Sequence, residues 1–300
     1  MDARRPTIGE HALDPSLPAD EAVRVLARAL LADMTHALAT FGAAPAAAAH
    51  ETRKGIKALR ALLRLADPAC ERLGGIDRRL RSSADLLAGA REARVLAETL
   101  RTLAPRARGA AAAPLARLAR WAGERATAAE AEAFEHRRVA QVEEALNEIG
   151  ESIGGWPVPG NWSALLDGAR HAARRARRRL AKGLARRDAD ELHAARRWVV
   201  RHRYHLGFLA AAGRHRQTRR LRMQDLRDLL GRHHDLHDAR RAITESGLVG
   251  ITELAAIERL VTKEQRRLEK KIGRAANRLF GGRNRRLTKA LKATFGQRAD

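Results

Sequence analysis

The sequence predicts an all-α protein of two pseudo-symmetric four-helix bundles with long antiparallel helices, and three observations predict it. Apolar residues recur every three or four positions along most of the 300-residue chain, the period of helices with one buried face. No alternating apolar and polar stretch rich in β-branched residues is present, so no sheet is expected. A basic block is written twice, 143 positions apart: His50-Glu51-Thr52-Arg53-Lys54-Gly55-Ile56-Lys57-Ala58-Leu59-Arg60 lines up with His193-Ala194-Ala195-Arg196-Arg197-Trp198-Val199-Val200-Arg201-His202-Arg203. The same offset carries Asp85-Leu86-Leu87 onto Asp228-Leu229-Leu230 and Glu92 onto Asp235.

Taken in order, residues 1–18 read as an irregular leader ending at Pro18, and Ala19-Asp20-Glu21 supplies an acidic helix start. The first helix runs to Phe41, where Gly42 and Pro45 break the chain. A second covers Ala46 to Ala66 and stops before Pro68, a third covers Ile76 to Leu103, and a fourth runs from Leu115 to Ile149 after the break at 105–114. These form a first half, 19–151. Gly154-Gly155-Trp156-Pro157-Val158-Pro159-Gly160-Asn161 concentrates helix breakers at mid-chain, so 152–162 is expected to be a linker. The second half, 163–280, repeats the count with Trp162 to Arg187, Asp190 to Ala212, Arg214 to Glu245 and Ile251 to Leu279. Residues 281–300 read as a basic tail.

Composition narrows the partner. With 45% hydrophobic residues the chain can bury a sizeable core, while 59 Lys and Arg against 35 Asp and Glu leave a net charge of +24. Such a charge draws polyanions. Aromatic residues make up only 3%, which leaves few platforms for stacking the bases of a single strand. The lone Cys70 excludes an internal disulfide and a cysteine-based zinc site. The N-terminus lacks an apolar signal core and no run of 18 apolar residues occurs, so a cytoplasmic protein without membrane spans is expected.

On the second helix His50, Arg53, Lys57, Arg60 and Arg64 are spaced 3, 4, 3 and 4 residues apart, which stacks them on one face. Like charges at that spacing cost a few tenths of a kcal/mol per pair in an isolated helix. A bound anion would relieve that repulsion; the alternative is a solvated face offset by Glu51 and other acids. The second copy presents His193, Arg196, Arg197, Arg201 and Arg203, with Val200 where the first has Lys57. Upstream, His171, Arg175, Arg178 and Lys182 form another row on a helix that Arg174, Arg177 and Arg179 make basic nearly all round. Arg suits phosphate because its planar fork donates two parallel hydrogen bonds. An imidazole adds a contact that gains a proton near an anion.

At these residues the chain resembles the CHAD family, the conserved histidine α-helical domain. The pattern is His193-x-x-Arg196-Arg197 with Arg203-Tyr204, then Leu230-Gly231 and His234-Asp235; in the first half it is His50-x-x-Arg53-Lys54-x-x-Lys57-x-x-Arg60, then Arg91-Glu92 and Val95. The resemblance spans about residues 20–280. It implies two helical halves whose basic helices face a shared cleft or pore that binds inorganic polyphosphate, with no cofactor, no metal and no catalysis, in the cytoplasm or at polyphosphate granules. The basic rows and the resemblance together give as candidate site residues His50, Arg53, Lys54, Lys57, Arg60, Arg64, Arg91, Arg174, Arg178, Lys182, His193, Arg196, Arg197, Arg201, Arg203 and His234. Three positions depart from the pattern: Val200 for a Lys, Glu92 for an Asp and Arg227 for a Gln. Glu92 and Asp235 read as acids that orient basic side chains.

Three other readings compete. Net charge alone will attract nucleic acid without sequence preference. His233-His234-Asp235-Leu236-His237-Asp238 has the makings of a metal-dependent phosphohydrolase site, but after Asp238 the next Asp is Asp300, so the distant ligand such a site needs is missing unless a Glu substitutes. A helical scaffold for a protein partner is the third.

Overall fold

The computed structural model describes residues 11–132, 136–209 and 214–281. Among them ten α-helices follow one another: α1 (Ala19–Ala39), α2 (Pro45–Ala66), α3 (Gly74–Leu86), α4 (Gly89–Leu103), α5 (Ala112–Glu132), α6 (His136–Ser152), α7 (Trp162–Arg186), α8 (Ala189–Phe208), α9 (Arg214–Ser246) and α10 (Ile251–Phe280). No strand occurs among the described residues. The all-α class is therefore what the periodicity indicated. Residues 1–10 of the expected leader, 210–212 of the predicted second-half helix and 282–300 of the expected tail lie outside the described residues.

Local chemistry explains the helix starts. Asp20 and Glu21 place negative charge on the first turn of α1, and Pro45 opens α2 where its missing N–H costs nothing. The Asn161 side chain accepts from the Ala164 N–H at 2.9 Å, and Asp188 accepts from the Glu191 N–H at 2.9 Å, capping α7 and α8. The expected linker at 152–162 is not a loose tether. It contains a 3-10 turn at Ile153–Gly155, and Ile153 and Trp156 are buried in the protein interior.

One of the predicted helices is divided, and another is described in two stretches on either side of residues 133–135. The predicted helix from Ile76 to Leu103 breaks at Leu87-Ala88, and the one from Leu115 to Ile149 is described as α5 and α6. The break at Leu87-Ala88 reflects packing, because the apolar residues on either side of it serve different cores. Leu80 and Leu87 join a first core with α1, α2 and α6, whereas Leu100 and Leu103 join a second core with α5, α9 and α10. Likewise Leu115 and Leu118 belong to the second core, and Val142, Leu146 and Ile149 to the first. The α4–α5 hairpin of the first half thus crosses over to pack with the helices of the second. In return, Leu165, Leu166 and Ala169 of α7 and Tyr204 and Phe208 of α8 enter the first core. The cores therefore do not divide the chain at mid-sequence.

The repeat survives this exchange. The 143-residue offset carries Ala19 onto Trp162, the first residues of α1 and α7, and Leu103 onto Ser246, the last residues of α4 and α9. The helix order α1, α2, α3 with α4, α5 is thus matched by α7, α8, α9, α10, and α6 is the addition.

Candidate anion-binding site

The two basic blocks meet because α2 packs on α8. At this crossing the Tyr204 hydroxyl donates to the Lys54 carbonyl at 3.4 Å, and the His205 Nε2 donates to the Ala61 carbonyl at 2.9 Å. His205 has 0% exposure, so the second bond ties the helices together out of reach of water. Near this junction Lys57 of α2 feels the charges of Arg91 of α4, Arg53 of α2, Arg196 of α8 and Arg227 of α9. An open pocket of about 590 Å³ lies there, lined by Arg91, Arg196, Arg227, Arg232 and Asp235 among others.

Lys57 reports on the electrostatics of this concavity. It is exposed by surface area. Yet loss of hydration among the surrounding protein atoms, followed by the charges of Arg91, Arg53, Arg196 and Arg227, pushes its pKa down to about 7. Burial also lowers Arg53 and Arg196, and neighbouring cations add to it: Arg91 for Arg53, and Arg227 and Arg91 for Arg196. Opposing them, Asp85 and Glu92 face Arg53, while Asp235 and Asp228 face Arg196. Each acid of the first pair is carried onto one of the second by the 143-residue offset, so duplicated sequence has produced duplicated surroundings for the two arginines. Burial raises the Asp235 carboxyl despite Arg196 and Arg91. The Arg196 guanidinium lies over Gly231, where a Cβ would stand 3.6 Å from Nε.

Other predicted residues are held elsewhere. Asp77, 7% exposed, accepts from Arg60 Nε at 2.9 Å and Nη2 at 3.2 Å, and from Arg64 Nη2 at 2.9 Å. Arg201 lies beside this pair: burial, then Arg64 and Arg60, lowers its pKa to about 10. Its guanidinium stands over the Trp198 ring at 4.6 Å, with Arg175 over the same ring at 5.8 Å. Lys54 pairs with Glu51 at 2.9 Å, and Lys182 pairs with Glu191 together with Arg179. Arg174 and Arg178 are exposed on α7 beside His171 and are not among the groups that act on Lys57. Arg197 is exposed next to His193 and Arg201. Arg203 stacks on Tyr204 at 4.6 Å and feels Arg227 and Arg220. Arg220 occupies the offset position of Asp77, so the second copy meets its row with a cation where the first has an acid.

The block-opening histidines are not equivalent. His50 is exposed at the start of α2. His193 faces His234 of α9, ring centroids 3.9 Å apart and planes tilted by 41°, and His234 Nε2 lies 3.2 Å from Asp238 Oδ2. Burial, then Arg197 and Arg196, holds His193 below its ordinary value; burial, then His193, lowers His234 to about 4. Among the described residues no group of three or more His, Cys, Asp or Glu side chains could hold a metal ion, and the His233–Asp238 string does not form one. Nor is any described helix long and apolar enough to cross a membrane.

Sequence reasoning missed Asp77, Arg227 and the buried His202 and His205. Asp77 looks like an ordinary acid in a first turn. Arg227 had a signal: its offset partner is Ala84, whose carbonyl accepts from Arg53 Nη1 at 3.1 Å, so the position faces the first arginine's side of the hollow.

The chain is thus an all-helical domain in which two related basic helices, α2 and α8, pack against each other. Residues 12–244 match the family model for the CHAD domain, and the chain belongs to that family. Two solved structures are similar in fold. "PptA from Streptomyces chartreusis" aligns with a TM-score of 0.61 at 18% identity, covering 88% of this chain and 100% of its own. The CHAD domain from the plant Ricinus communis aligns with a TM-score of 0.57 at 21% identity, covering 98% of this chain and 97% of its own. No curated protein matches the chain.

Proposed function

We propose that this protein binds inorganic polyphosphate in the hollow between α2, α4, α8 and α9, and that it does so without catalysis. One observation carries the reading: Lys57 stands among Arg53, Arg91, Arg196 and Arg227, cations drawn from both copies of the repeat. Five cations brought together, only partly offset by Asp225, Asp228 and Asp235 in the pocket wall, raise the energy of the empty site, and a chain of phosphates lowers it. Polyphosphate carries about one negative charge per unit and has no base to stack, which suits many guanidiniums and few aromatics. Arg supplies the bidentate contacts, and Lys57 regains its proton when the ligand neutralises its neighbours. The acids that face Arg53 and Arg196 fix those side chains in place before the ligand arrives. Binding in the cytoplasm, at polyphosphate granules where they form, fits the same chemistry.

The test is a titration of the full chain with polyphosphates of graded length, with pyrophosphate and ATP as competitors. Affinity that climbs with chain length until the hollow is filled supports the reading. Equal affinity for pyrophosphate and long chains contradicts it. Release of inorganic phosphate during incubation with Mg²⁺ or Mn²⁺ would turn the reading toward hydrolysis.

A further inference from the structure

α7 and α10 contribute no residue to the pocket beside the basic blocks, yet both are strongly basic. Between Asp167 and Asp188 the chain has nine Arg and Lys and no acid, and from Gln265 to Phe280 it has six against one. That one acid, Glu269, is turned toward α9, where its Oε1 lies 3.4 Å from His233 Nε2. The counterparts of α7 and α10 in the repeat are not basic: α1 has Arg24 and Arg28 against Asp20, Glu21 and Asp33, and α5 has three arginines against three glutamates. Compositional bias therefore does not account for the charge, since the same chain builds the equivalent helices without it.

The two helices lie side by side. A Cβ on Gly273 of α10 would stand 3.8 Å from Leu184 Cδ1 of α7, and Leu180 and Ile272 are buried in one core beneath them. Arg177 stands seven residues before Leu184, and Arg266 and Lys270 stand seven and three before Gly273, so helical spacing sets all three beside that contact. Arg174 and Arg178 extend the row on α7, and Arg274 extends it on α10. All six are exposed, and among the described residues no carboxylate pairs with any of them. The ion pairs these helices do make, Arg170 with Asp167, Arg179 and Lys182 with Glu191, and Arg267 with Glu264, leave the row untouched.

We propose that this α7–α10 face binds a second chain of polyphosphate, so that one protein holds two chains and cross-links them; the proposal rests on polyphosphate being the ligand of the hollow. Guanidinium forks on neighbouring helices grip phosphate oxygens. The exposed side of the face carries no aromatic ring for stacking a base and no large apolar residue for entering a membrane. It accounts for Arg174 and Arg178, which the pocket does not. Charges open to solvent are screened more than enclosed ones, so this second site is the weaker and is lost first as salt rises. A long chain held at one site reaches the second site of other copies, and a network forms.

The experiment titrates the full chain with a short polyphosphate of about eight units by calorimetry, and follows light scattering with long-chain polyphosphate in parallel. The wild-type protein should take up about two short chains, and the variant Arg177→Gln/Arg266→Gln/Lys270→Gln/Arg274→Gln, altered only at exposed side chains, about one. Scattering with long chains should rise, pass through a maximum and fall in excess polyphosphate for the wild type, and stay low for the variant. Uptake of a single short chain by the wild type, or scattering unchanged in the variant, overturns the proposal. Duplex DNA that binds the wild type, is lost in the variant and is not displaced by the short polyphosphate assigns the face to nucleic acid and overturns it too. Arg91→Gln/Arg227→Gln separates the two claims. If the wild type takes one chain, which this pair weakens and the face variant keeps, only the face is removed. If the face variant loses one chain while this pair keeps both, the face stands and polyphosphate is removed from the hollow.

Discussion

His193 and His234 face each other across the α8–α9 contact with ring centroids 3.9 Å apart. Burial, then Arg197, Arg196 and His237, disfavours a proton on the pair, and Asp238 and Asp190 favour one. Both rings are held neutral at pH 7 in the empty site, and a bound polyanion raises their pKa values. A group whose pKa rises on binding tightens the complex as pH falls between its bound and free values. Affinity for polyphosphate should therefore climb between pH 6.5 and 5, by up to about tenfold per proton taken up. Binding isotherms at pH 7.5, 6.5, 5.5 and 5 check this. The double variant His193→Gln/His234→Gln should flatten the rise, and His50→Gln should keep it. Circular dichroism must accompany these measurements, because buried His205, lowered to about 4, favours unfolding below pH 6.5 by about 2 kcal/mol at pH 5.

Lys57 gives a second window with the same sign at higher pH. Its pKa of about 7 in the empty site returns toward the ordinary lysine range beside phosphate, so binding takes up a proton above pH 7 and none well below it. Affinity should fall as pH rises from 7 to 9. Calorimetry in buffers of different ionisation enthalpy measures the uptake directly, and Lys57→Met should abolish it above pH 7.5.

Asp77 opposes binding while it supports the fold. Replacing it with Ala leaves Arg60 and Arg64 without their bidentate acceptor, beside Arg201, and should cost about 1–3 kcal/mol of stability. The same change releases two guanidiniums and removes a negative charge near the blocks. Polyphosphate affinity should rise by about two- to fivefold at low salt. Thermal melts and isotherms on Asp77→Ala test both halves, and a fall in affinity would place Arg60 and Arg64 outside the ligand's path.

Gly168 lets α7 approach α2. A Cβ at this position would collide with the carbonyl oxygen of Leu65, with the Leu65 carbonyl carbon at 2.9 Å and Cα at 3.2 Å. Backbone cannot swing aside as a side chain can, so Gly168→Ala should destabilise by about 3 kcal/mol. Gly231→Ala is the contrast, since its Cβ would make only ordinary contact with Arg196 and gains up to about 1 kcal/mol of helix propensity. Chemical denaturation of both variants reads the difference.

Much of this was legible in the sequence. Periodicity gave the helices, and the ungapped offset paired Arg53 with Arg196 before any coordinates placed them around one hollow. The break at Leu87-Ala88 was not legible, because no proline marks it and Gly89 alone is a weak signal. It arises because Leu80 and Leu100 are claimed by different cores, which is a tertiary demand. The stripe on α2 was legible as a row of charge but not as two functions: Asp77, seventeen residues beyond Arg60, withdraws Arg60 and Arg64 into an ion-pair cluster and leaves Arg53 and Lys57 to the hollow. Lys182 stands in the sequence as one of a basic row, and its pairing was not legible because its partner Glu191 lies on the next helix, α8.

The most direct test of the central claim is a competition between long-chain polyphosphate and duplex or single-stranded DNA at equal phosphate concentration, repeated across a range of salt. Polyphosphate should displace the DNA, and with about eight phosphate contacts its affinity should fall with a log-log salt slope near −5 to −6. Displacement of polyphosphate by DNA, or an affinity that hardly changes with salt, would contradict the account.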